Sequence, residues 1–353
     1  MDYTEFNKLY DDIRDIIDSA RANTYRNINF NMVLAYWNIG KVIVDVEQEG
    51  KERADYGKKL IEKLSLKLTE DLGKGFSRQN LQNMKQFYKC FKNCQTLSGK
   101  LSWSHYILLM RIDNEDTRDF YLKEAEGEMW SVREMDRQIN SLLFERIALS
   151  RNKAQVKTLA NEGHIIKSPK DVIKDPYILE FLELPEHPTY NEKDLKNAII
   201  GKLKTFLLEL GKGFAFIDRQ KRITLDNEHY YIDLVFYNYI LKCFVLIDLK
   251  LGKLKHKDIG QMDFYVRYFE KENRKDNDNP TIGIILCSDK NDAMVKYTLL
   301  DESRNIFASR YRLCLPTEKD LEDEIKRERE AIEIEKRLKK KNNNHLKRSP
   351  NFI

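Results

Sequence analysis

Apolar residues in the first 150 positions recur every three to four places, the repeat of helices buried along one side. Tyr3, Phe6, Leu9, Ile13, Ile16 and Ile17 keep this spacing, as do the apolar positions of 30–46. Leu60, Ile61, Leu64 and Leu68 share one helix face. Ser77 is an N-cap candidate for a helix carrying Leu81, Met84, Phe87, Tyr88 and Phe91. Further helices are predicted over 103–123 and 131–147, where Trp103, Tyr106 and Leu109 are spaced for core packing. The stretch 148–174 loses aromatic residues and periodicity and reads as a join. The pattern then changes. A helix over 191–210 leads through Gly211 and Gly213 into strand-like runs at 214–225, 230–238 and 243–250. A helix over 256–272, a strand over 281–288, a short helix near 291–300 and a strand over 307–315 complete a mixed pattern. From Thr317 a charge-alternating helix is expected to about 340. The expectation is an α+β multidomain chain: a helical domain over 1–150, a linker over 151–174, an α/β domain over 175–316, and a charged helix with basic tail over 317–353.

Composition narrows the function classes. At 353 residues, the chain has room for two domains, and a net charge of +5 permits nucleic-acid binding by local patches without requiring it. Of the five cysteines only Cys90 and Cys94 lie close, and no second pair completes a zinc spacing. The acidic, amphipathic N-terminus does not read as a signal peptide, and no apolar run reaches the roughly 18 residues of a membrane span. A cytoplasmic protein without membrane contact is expected. Residues 336–353 hold seven Lys or Arg and no acid, which fits a solvated tail or a nonspecific phosphate-binding one.

The candidate chemistry sits in 230–250. If 239–242 form the turn of a hairpin, Asn238 faces Cys243 and Asp233 falls opposite Asp248, with Cβ atoms roughly 5 Å apart. Lys250 shares the face of Asp248, while Ile232, Leu234 and Phe236 with Val245, Ile247 and Leu249 make the other face apolar. Two such carboxylates repel unless a cation lies between them, and hard oxygen donors suit Mg²⁺, with Mn²⁺ as a substitute. Lys250 would then orient the attacking water or steady a phosphate. The alternative is a structural Asp–Lys pair on a solvated sheet face. On the helix that follows, Gln261 and Tyr265 share one face.

Asp233, Asp248-x-Lys250 and Gln261-x-x-x-Tyr265, in the order strand, strand, helix, resemble the PD-(D/E)XK nuclease superfamily and its RecB-like branch. The stretches "LELGKGFAFIDRQ", "YYIDLVFYN", "LKCFVLIDLKLGKLKHKDIGQM" and "LSWSHYILLMRI" are similar to the bacterial YhcG family over nearly the whole chain, the basic tail excluded. This resemblance implies an all-α winged-helix-like DNA-binding domain followed by a restriction-endonuclease-like α/β domain with a mixed central sheet. It also implies metal-dependent cleavage of DNA, in defence, repair or mobile-element processing. Asp233 and Asp248 would be metal ligands, Lys250 the catalytic lysine, and Gln261 and Tyr265 site support or DNA contacts. The superfamily often places an acid on the first core helix. Here Lys196, Asn197 and Gly201 stand where one was sought, and Glu209 is the acid left in that segment. Either Glu209 serves, or two acids suffice, or this copy is weakened. Asp218 and Arg219 are candidates for phosphate contact.

In the first domain, the helix from Ser77 carries Arg78, Gln79, Asn80, Gln82, Asn83 and Lys85 beside its apolar stripe. Such side chains read base edges, and a polar solvent face has the same composition. The competing functions are an inactive DNA-binding protein with the nuclease fold, and an interaction protein whose C-terminal charged helix docks a partner or forms a homodimer.

Overall fold

The computed structural model describes residues 3–49, 54–148, 153–185, 190–289 and 305–317. The helix expected near 291–300 and the chain beyond 317 lie outside these residues. The chain divides into two compact units, Met1–Arg137 with Lys157–Gly163, and Gln138–Val156 with His164–Ile353.

Every strand among the described residues belongs to the second unit; the first is helical. Its elements are α1 (Tyr3–Glu49), α2 (Ala54–Leu72), α3 (Arg78–Cys90), α4 (Trp103–Leu109), α5 (Glu115–Gly127), most of α6 (Val132–Asn140) and much of α8 (Lys153–Glu162), with α7 (Leu143–Ala148) in the second unit. The described connections hold turns and one short 3₁₀ segment, so no strand pair that could serve as a wing is present among them. Ser77 caps α3 by accepting from the Asn80 N–H at 3.2 Å, and Leu81, Met84 and Phe87 form its buried stripe. Phe87 packs edge-on against Phe91 and Trp103. The second half of α1 lies directly on α3. A Cβ added at Gly40 would sit 2.0 Å from the Met84 carbonyl oxygen, so only glycine permits this backbone approach. The stretch expected as a linker is structured in its described part. It contains α8, with Leu159 and Ala160 fully buried, and a 3₁₀ turn at Pro169–Val172.

The second unit holds one six-stranded sheet of order β1-β6-β5-β4-β3-β2. The strands are β1 (Tyr177–Ile178), β2 (Phe214–Leu225), β3 (Glu228–Asn238), β4 (Cys243–Lys253), β5 (Ile282–Asp289) and β6 (Ile306–Arg312). β2, β3 and β4 form an antiparallel meander, and β4, β5, β6 and β1 run parallel. Helix α11 (His256–Glu272) is the crossover that parallel β4 and β5 require. The sheet is covered on both faces, which explains its nearly continuous apolar strands. Leu234, Phe236, Val245, Ile247 and Leu249 pack with Leu195 and Ile199 of α9 (Glu192–Gly201) and Phe206 of α10 (Leu203–Leu210). Val235, Leu246 and Ile285 pack with Met262, Tyr265 and Phe269 of α11. Ile232 lies in this second cluster, contrary to the alternation expected for it; β2 carries a register shift against β3 between Phe216 and Asp218.

The β3–β4 turn forms without glycine or proline because Asn238 holds it. Its Oδ1 accepts from the N–H groups of Ile240 and Leu241 at 3.1 and 2.9 Å, and Lys242 takes the left-handed conformation at φ 51°.

Gly40→Ala is expected to destabilise the helical unit by about 1–3 kcal/mol. Gly127→Ala, where nothing lies within 4 Å of the added carbon, should cost far less. Denaturant unfolding of the two variants measures the difference.

Candidate active site

The register set by Asn238 runs from Asn238↔Cys243 to Leu234↔Ile247, as the 239–242 turn predicts. At the next step the ladder gives way to side-chain bonding: Asp233 Oδ2 accepts from the Leu249 N–H at 2.8 Å. Both carboxylates are buried, Asp233 at 3% exposure and Asp248 at 1%. Each has its own lysine. Lys250 Nζ lies 2.7 Å from Asp248 Oδ2, and Lys196 Nζ of α9 lies 2.6 Å from Asp233 Oδ1. Gln220 of β2, in the left-handed conformation at φ 50°, donates its side-chain N–H to Asp233 Oδ1 at 3.0 Å.

Burial and then the neighbouring Asp233 charge push the Asp248 carboxyl up to about 7, against the pull of Lys250. Its Oδ2 is buried with the Lys250 ammonium beside it but no aligned hydrogen-bond donor. Burial works against the Lys250 ammonium, yet Asp248, with Glu192 and Asp233, outweighs it and raises that pKa. The alternative of an Asp–Lys pair on a solvated sheet face is not what forms: both carboxylates are enclosed. They lie at the end of an apolar sheet.

Gln261 and Tyr265 are hydrogen-bonded to each other at 2.5 Å, and the Tyr265 hydroxyl donates to the Tyr231 carbonyl at 2.9 Å. The pair thus pins α11 to β3 one residue before Ile232 and Asp233. Arg219 is exposed on β2; its backbone N–H bonds Asp218, whose carboxylate also meets Lys221 at 3.3 Å.

Glu209 is placed apart from this group. Its carboxylate accepts from Arg146 at 2.7 Å and from the Ile178 N–H at 2.9 Å, and its carbonyl accepts from Lys174. The acid that does approach is Glu192, in the first turn of α9. It accepts from the Leu251 N–H at a long 3.4 Å, lies 3.9 Å from Lys196 and acts on Lys250. Attention to the middle of the helix misses it. The signal was the capping pattern Asn191-x-x-Asp194, which fixes the helix start and puts Glu192 one turn before Lys196.

In the first unit, Arg78 pairs with Glu62 at 2.8 Å, and Gln79 donates to Asn83. Asn80 accepts from Trp103 Nε1 at 3.0 Å and donates to the Gly75 carbonyl, so it fastens α3 to α4. Arg78 and Gln79 are exposed.

Residues 170–326 match the model of the YhcG PDDEXK nuclease domain, and residues 12–146 that of the DUF1016 N-terminal domain. A curated protein of Escherichia coli (strain K12), "Putative nuclease YhcG", is 36% identical over 362 residues, spanning 93% of this chain and 96% of its own. The chain belongs to the YhcG family. Among solved structures, a repair endonuclease from Pyrococcus abyssi aligns at 18% identity and a TM-score of 0.26, over 37% of this chain and 50% of that one. An EndoMS–dsDNA complex aligns at 14% and 0.24, over 34% and 45%. The chain spans about half the length of these solved proteins.

Among the described residues, no three His, Cys, Asp or Glu side chains gather to hold a metal. The donors that fit a divalent ion are the two buried carboxylates, hard oxygen ligands with Asp248 Oδ2 lacking an aligned donor. No helix among the described residues is long and apolar enough to cross a membrane.

Because Asp248 holds its proton to about pH 7 when folded and loses it near pH 4 when unfolded, its term in stability falls as pH rises between those values. Asp248→Asn should remove that slope. In metal-free protein, thermal unfolding of the variant relative to the parent should improve steadily from pH 4 to pH 8.

Proposed function

We propose that this chain is a divalent-metal-dependent endodeoxyribonuclease, with a catalytic domain over 175–316 and a DNA-binding helical domain over 1–150, acting in the cytoplasm. The observation that carries the reading is Asp233 and Asp248 buried side by side with Lys250 at the second carboxylate. Asp233 and Asp248 would hold Mg²⁺ or Mn²⁺, with Glu192 the nearest further acid. When bound, the ion would supply charge for the scissile phosphate and a water of lowered pKa. Lys250, freed from neutralising Asp248, would orient the attacking water or steady the phosphate. Gln261 and Tyr265 act as positioning residues that hold α11 against β3. Arg219, exposed on β2, is a candidate phosphate contact. Arg78 and Gln79, exposed at the start of α3, are candidate contacts for a DNA groove, the first-unit helix taking the recognition role of a winged-helix-like domain. Asn80 is committed to Trp103 and Gly75 and stays with the fold.

One observation favours a second reading, a DNA-binding protein of weak or no activity. Lys196 meets Asp233 from the first core helix, where the resemblance calls for an acid. The opposing charge would raise the concentration of metal needed.

Plasmid nicking in Mg²⁺ or Mn²⁺ distinguishes the readings. The parent should cleave and Asp248→Ala should not, while Lys250→Ala should lose at least about a hundredfold. Equal cleavage by parent and Asp248→Ala would remove the site assignment. Calorimetric titration with Mg²⁺ alone should give tighter binding to Lys196→Met than to the parent.

A further inference from the structure

Helix α1 is two helices in character. From Val33 onward one apolar side is buried, with Val33 at 0% exposure, Ile43 and Val44 enclosed, and Trp37 donating to the Phe91 carbonyl at 2.6 Å, while Val42 and Val46 stay exposed. Toward the N-terminus the stripe is bare. Tyr3, Phe6, Tyr10, Ile13, Ile16 and Ile17 are all between 45% and 80% exposed. The hydrogen bonds and ion pairs of Arg14, Asp18, Arg21 and Thr24 stay within their own helix.

A bare stripe of this kind does not support a long helix in water, because helices in proteins are held by packing of their apolar face. The spacing identifies what covers it. Tyr3, Phe6, Tyr10, Ile13, Ile17 and Ala20 follow the alternating three and four of a heptad seam, which keeps facing a partner helix supercoiled around it. Residues 3–20 span about 27 Å at 1.5 Å per residue. Taking about 150–250 Å² for a large side chain, the exposed fractions leave roughly 700 Å² of apolar surface on each copy. A stable interface needs about 800 Å² per partner. Pairing the same stripe around a two-fold axis supplies most of that area from one segment alone.

We propose that the exposed N-terminal half of α1 is a self-association surface and that its occupant is the same helix of a second copy. The homodimer is then built from the N-terminal unit and not from the charged helix after residue 317. Residues 3–20 carry Glu5, Asp11, Asp12, Asp15 and Asp18 against Lys8 and Arg14, a net negative charge set mostly on the sides away from the seam. Facing copies therefore repel at long range, and added salt, which screens that repulsion, strengthens the dimer.

Light scattering coupled to size exclusion on the full chain tests this. The parent should elute with twice the 42.0 kDa chain mass, and the dimer fraction should rise between about 50 mM and 500 mM salt. The double variant Ile13→Asp with Ile17→Asp should elute as the single chain. Unchanged near-ultraviolet circular dichroism would show that the packed half of the unit, with Trp37 and Trp103, is still folded. A parent of single-chain mass, or a double variant that stays dimeric, overturns the proposal. A salt response in the opposite direction overturns it too, by assigning the stripe to a partner of opposite charge.

Discussion

Two carboxylates held side by side inside a sheet are the constraint around which the second unit is built. Left alone, Asp233 and Asp248 would each carry a desolvation cost and repel the other. The surrounding residues reduce both effects. The Leu249 N–H, Gln220, Lys196 and Lys250 all point at these two groups, and the Asp248 proton absorbs part of what remains. Replacing such a cluster with apolar side chains would suit stability better. Its presence at the end of an otherwise apolar sheet is the physical ground for a functional reading.

Much of this was legible in the sequence because strand alternation has a fixed period. Once the turn is set at 239–242, every pair in the hairpin follows, and the observed ladder agrees down to Leu234↔Ile247. What was not legible arose where a side chain replaces the usual backbone device. The turn carries no glycine or proline because Asn238 supplies the hydrogen bonds. The acid near the site stands at the start of α9, whereas Glu209, deeper along the same stretch, is consumed by Arg146 in a separate buried pair. Helical periodicity gives a face but not which residue of that face meets a distant strand. The same limit hid Asn80, whose polar character suggested a base-reading role and whose two bonds go to Trp103 and Gly75.

The first unit shows how a single periodic pattern can serve two purposes. The repeat that begins at Tyr3 and continues through 46 looks uniform in sequence. In the fold, its later part is closed against α3 at Gly40, and its earlier part remains open. Composition does not separate the two halves. Glycine does, since a backbone contact as close as that between Gly40 and Met84 fixes which turn of the helix belongs to the core.

The mixed sheet gives β4 a special position. From Cys243 to Ile247 it is paired antiparallel to β3 on one side, and from Val245 onward it runs parallel to β5 on the other, so around Val245–Ile247 both of its edges are engaged. Beyond Leu234, however, β3 has only β2 as a neighbour, and the ribbon continues to Leu225↔Glu228 as two strands. Amide hydrogens of Val245–Ile247 should therefore exchange only when the whole sheet opens, while those of the ribbon exchange through local fraying. β4 is the fixed part of the sheet beside the two carboxylates, and the two-stranded ribbon that carries Gln220 is the part able to bend.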